Sequence, residues 1–62
     1  MKIELKAATL AALRYINRED LIVQDSYSVF EQVGDYIRSL YPAFNEDEIE
    51  HAALLAMKLA IS

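Results

Sequence analysis

Apolar residues along this chain return at helical spacing in three stretches, separated by the only breaks in the pattern. The first covers about residues 3–17. At 100° per residue, Leu5, Ala8, Ala12, Tyr15 and Ile16 form one continuous stripe. Ile3, Ala7, Leu10 and Ala11 form a second stripe, which turns polar at Arg14, Asn17 and Arg18. The alanines allow a neighbouring helix to approach closely. From Arg18 to Asp25 the period fails, and Leu21-Ile22-Val23 reads as a short extended piece that tucks into the core.

The second helix is predicted over about 28–41. Ser28 followed by Glu31 has the spacing of a capping box, and Ser26 is a rival cap. Val29, Val33, Tyr36, Ile37 and Leu40 share one face; Glu31, Asp35, Arg38 and Ser39 share the other. Gly34 stands at the edge of the apolar face, where the missing Cβ would let another backbone come close. Pro42 ends the helix, because the residue before a proline is pushed out of the α region.

The third helix, about 46–61, has the strongest local code. Asn45 is placed as N-cap with Glu48 three residues on, and Phe44 stands where a hydrophobic staple would reach Ile49. Acids crowd its first turns and Lys58 lies near its end, as the helix dipole favours. Ile49, Ala52, Ala53, Ala56, Leu59 and Ala60 make the core stripe, while Leu54, Met57 and Ile61 fall on the other side among Asp47, Glu50 and Lys58.

Two stripes are therefore left over: Ile3, Ala7 and Leu10 on the first helix, and Leu54, Met57 and Ile61 on the third. They cannot all face a three-helix core, and apolar residues around a short helix imply burial on more than one side. The expectation is an all-α, three-helix bundle that dimerises through its first and third helices into a six-helix assembly.

Composition sharpens that expectation. A chain of 62 residues has one small core, and such cores need reinforcement by disulfides, metal or oligomerisation. There is no cysteine, so disulfides and thiolate metal sites are excluded. Hydrophobic residues are 55% of the chain, more than one short core is expected to cover. Glu4 and Lys6 interrupt the position of a signal-peptide apolar region, and the apolar run from Ala52 to Ile61 is well short of the ~20 residues that span a bilayer. A cytoplasmic protein with no membrane partner is expected.

The formal net charge is −4, and it is uneven. Residues 1–20 carry four bases against three acids, whereas residues 21–62 carry two bases against seven acids. Phosphate neutralisation by Lys and Arg dominates nucleic-acid affinity, so this balance argues against that partner. Helix two, the turn Tyr41-Pro42-Ala43-Phe44 and helix three imitate a helix-turn-helix. Yet Glu46, Asp47, Glu48 and Glu50 occupy the turns that would meet DNA. A nucleic-acid-associated regulator stays an alternative only through the bases of helix one. Glu46, Asp47 and Glu50 are instead candidates for an acidic, partner-binding surface.

Candidate chemistry is sparse. His51 is the only histidine, with Asp47 one turn earlier as a natural ion-pair partner. Glu48 and His51 have the Glu-x-x-His spacing of helical di-iron proteins, and a dimer would present two copies with Glu31 as a further ligand. A metal-binding helical dimer is thus the second alternative, although Glu48 doubles as the capping residue. No Gly-x-Ser-x-Gly elbow exists, and Gly34, the sole glycine, excludes a phosphate-cradling glycine loop. The four tyrosines are spaced as core or core-edge residues. No catalytic residue and no cofactor is expected. The predicted function is a non-enzymatic, self-associating protein-binding module: a small acidic regulator, inhibitor or antitoxin-like adaptor of bacterial or phage type.

Overall fold

Each apolar period becomes an α-helix in the computed structural model, which describes residues 3–62, with side chains from Glu4 onward. The three helices are α1 (Ile3–Arg18), α2 (Ser26–Leu40) and α3 (Glu46–Ala60), with a single 3₁₀ turn at Leu21–Val23. No strand occurs among the described residues, so the chain is a small three-helix bundle. Glu4 and Glu48 border one concavity at one end, while Ile16 and Ile61 border another at the opposite end. Helices α1 and α3 therefore run parallel, with α2 antiparallel to both. No helix among the described residues is long and apolar enough to cross a membrane.

The helix ends follow local chemistry, with one correction to the sequence reading. Helix α2 is capped by Asp25, not by a Ser28–Glu31 box. The Asp25 Oδ1 accepts the Ser28 N–H at 3.0 Å, and the Ser28 hydroxyl donates to Oδ2 at 2.8 Å. A carboxylate holding both donors outcompetes a serine cap one turn later, so the helix begins at Ser26. These bonds, the backbone one foremost, hold the Asp25 carboxyl below its ordinary value near 3.8. At α3 the predicted box is present: Asn45 Oδ1 accepts the Glu48 N–H at 2.8 Å, and the Asn45 N–H donates to Glu48 Oε1 at 3.0 Å. Tyr41 leaves the helical region before Pro42 (φ −130°, ψ 71°), as predicted.

Between α1 and α2, Asp20 adopts a left-handed conformation (φ 53°, ψ 42°). The turn it creates folds Leu21–Val23 into 3₁₀ instead of an extended piece. Only Leu21 enters the core, leaving Ile22 and Val23 exposed.

The core is thin. Ala8, Ala12 and Ile16 from α1 meet Val29, Val33 and Ile37 from α2 and Ile49, Ala52, Ala53 and Ala56 from α3. Ile16, Ile37 and Val33 are its largest fully buried side chains. Burial stabilises in proportion to apolar area, and alanine has little to bury. Thr9 is buried as well, its hydroxyl donating to the Leu5 carbonyl at 2.9 Å, which lets a polar residue sit in the interior. Tyr15 and Tyr36 stack at 4.2 Å between α1 and α2, with the Arg18 guanidinium 5.6 Å from the Tyr15 ring centre. Leu40 and Leu59, assigned to core stripes by periodicity, are both exposed. Each stands in the last turn of its helix, where the bundle ends.

Candidate functional site

Gly34 is buried in the middle of α2, and there the surface between α2 and α3 dips. Tyr27, Phe30, Glu31, Asp35 and Arg38 recur at helical spacing along the α2 bank. Glu46, Ile49 and Glu50 form the α3 bank. Four carboxylates and one guanidinium thus surround an apolar floor. Arg38 bridges the banks: its Nη2 donates to both Glu46 carboxylate oxygens at 3.0 and 2.9 Å, and its Nη1 donates to Asp35 Oδ1 at 2.9 Å. The bonds to Glu46, then its charge and that of Asp35, raise the Arg38 pKa, so the guanidinium is permanently charged and already engaged. Such exposed pairs contribute little to stability; here they fix the orientation of the groove wall.

The groove does not stop at Glu50. Tyr27, Phe30 and Glu50 also border an apolar stretch with Leu54 and Met57. Met57 in turn joins Ile16, Ile22, Val29, Ala60 and Ile61 around a pocket at the far end of the bundle. From Ser26 to Arg38, α2 rises about 18 Å. One side of the molecule therefore carries three adjoining concavities that share lining residues, together a groove that is acidic at one end and apolar at the other.

The predicted interface residues separate in space. Leu54, Met57 and Ile61 all line the groove, with Leu54 and Ile61 exposed by 51% and 72%. Met57 is half-buried and packs on the core, so it is not a surface residue left over. Ala7 and Leu10 are exposed on α1, but neither borders the groove. The Ile3 side chain lies outside the described residues. The α3 stripe is thus bordered by the α2 flank and, at the far end, by Ile16 of α1, and not by Ala7 or Leu10.

The acidic set divides too. Glu46 and Glu50, one turn apart, face the groove, whereas Asp47 is rotated about 100° away and does not border it. Glu31 and Asp35, read as the plain polar face of α2, join Glu46 and Glu50. Tyr27, expected in the core or at its edge, is 69% exposed. Gly34 has no steric need to be glycine: a Cβ there would meet the Ile49 Cγ2 at 3.8 Å, an ordinary contact. Sequence periodicity missed Tyr27, Phe30 and Ile22 as groove residues because each belongs to the site only through α3.

The metal alternative finds little geometry. Glu48 Oε1 accepts the Asn45 N–H, and His51 is exposed without an ion pair to Asp47 among the described residues. Among those residues no three ligand-type side chains converge, and no buried side-chain polar atom lacks a hydrogen-bond partner. Comparison with known protein families, curated proteins and solved structures finds no match.

Proposed function

We propose that this chain is a non-enzymatic protein-binding module that self-associates through the apolar half of its α2–α3 groove. The observation that carries the reading is the grouping of Ile22, Tyr27, Leu54 and Ile61, all exposed, around concavities floored by Phe30 and Met57. Large apolar side chains gathered on one concave face of a small protein mark a surface that another chain covers. The alanine-rich core supports the same conclusion, because a 62-residue bundle with little buried area gains most from oligomerisation. Small size, acidity and lack of cysteine fit an acidic regulator, inhibitor or antitoxin-like adaptor of bacterial or phage type acting in the cytoplasm. A dimer would bring six helices together, with α3 at its centre.

The test is solution mass by light scattering across a dilution series. The expected result is a dimer that Leu54→Glu with Ile61→Glu converts to monomer while far-UV circular dichroism stays helical. A wild-type chain that remains monomeric at every concentration overturns self-association.

A further inference from the structure

We infer that the acidic half of the groove, over Gly34, is a docking site for a basic amphipathic segment of a second protein. This rests on the protein-binding reading above; the docking site shares Tyr27, Phe30 and Glu50 with the self-association surface, so a basic segment and a second copy would compete there. Charge complementarity decides the occupant. Arg38 is held by Asp35 and Glu46, while Glu31 and Glu50 face the same space with no ion pair or hydrogen bond among the described residues. Two uncompensated carboxylates beside the Tyr27 and Phe30 rings form a setting for Lys or Arg, whose aliphatic stem covers apolar surface while its charged end meets carboxylates and ring faces.

Gly34 supplies an independent reason to look outside the chain. A glycine inside a helix is unfavourable relative to alanine, and no neighbour here forbids a methyl group. The glycine keeps the groove floor low and so leaves room for a group that lies on it. A segment presenting Lys or Arg at i and i+4 beside leucines would place its cations toward Glu31 and Glu50 and its apolar side over Gly34.

The probe is a fluorescein-labelled amphipathic peptide with lysines at i, i+4 spacing beside leucines, compared with the same peptide carrying glutamates in place of the lysines. Anisotropy titrations at fixed salt should show binding of the lysine peptide only. Affinity should fall about tenfold in Glu31→Gln with Glu50→Gln, and by more in Gly34→Leu, whose side chain fills the floor. Glu4→Gln with Asp47→Asn removes the same charge away from the groove and should leave affinity within about twofold. Equal losses in the groove and control pairs, or no binding of the lysine peptide at about 1 mM, overturn the proposal. The same titration on the Leu54→Glu, Ile61→Glu chain separates the two readings. Peptide binding by a wild-type chain that stays monomeric removes the dimer alone, and a monomeric Leu54→Glu, Ile61→Glu chain that still ignores the peptide removes the docking site alone.

Discussion

Replacing Gly34 by alanine should make this protein more stable. The residue lies in the middle of α2 with no positive φ, so alanine adopts the same backbone without strain. The gain from helix propensity, which includes the lower entropy of the unfolded chain, is about 0.8–1.0 kcal/mol. The new methyl group is in ordinary contact with the Ile49 Cγ2 at 3.8 Å, and its partial burial contributes a few tenths of the ~0.8 kcal/mol of a fully buried methylene. The sum is about 1–1.5 kcal/mol, which for a domain this small raises Tm by roughly 5–10 °C. Urea and thermal unfolding followed by circular dichroism at 222 nm measure it. Protein concentration must be held fixed, because self-association would shift the midpoint by mass action. An unchanged or lowered stability would refute the reasoning: α3 would then press on α2 at Gly34, and the groove floor would be closed by the chain itself.

Substitutions at two further positions test the helix boundaries. Asp20 holds a left-handed conformation that costs an L-residue about 1–2 kcal/mol and glycine almost nothing. Asp20→Gly should therefore stabilise by about 1 kcal/mol and Asp20→Val should destabilise, both read from urea midpoints; a destabilised glycine variant would remove the strain argument. Asp25 is depressed by the Ser28 bonds, so its cap stabilises the fold above the ordinary value near 3.8 and loses that effect as pH falls through the lower folded value. The Tm difference between wild type and Asp25→Ala should be constant at neutral pH and shrink on acidification below about pH 4. A difference independent of pH would mean that the carboxylate does not cap α2.

Much of this fold was legible because its signals are local. The Asn45–Glu48 box, the stop at Tyr41-Pro42 and the stripes through Ala8, Val33 and Ala53 depend on residues no more than four positions apart, and each is present in the structure. Local rules failed where two were in competition. Ser28 has capping spacing, yet Asp25 binds both of its donors. Leu21, Ile22 and Val23 are equally apolar, yet the left-handed Asp20 sends only the first inward.

The site was legible only in its parts. Leu54, Met57, Ile61, Glu46 and Glu50 are marked by the amphipathic mismatch of α3, but nothing on that helix says which neighbour lies beside them. Placing α2 rather than α1 along this flank makes Tyr27, Phe30, Glu31 and Gly34 their companions and leaves Ala7 and Leu10 elsewhere. The sequence by itself determined three helices, the cap of α3 and the main inward stripe of each helix, because these follow from hydrogen bonding and hydrophobicity within a few residues of chain. Tertiary structure alone decided that Arg38 reaches Glu46 and that an acidic bank meets an apolar one across Gly34, because helix pairing brings together side chains that have no fixed relation along the sequence.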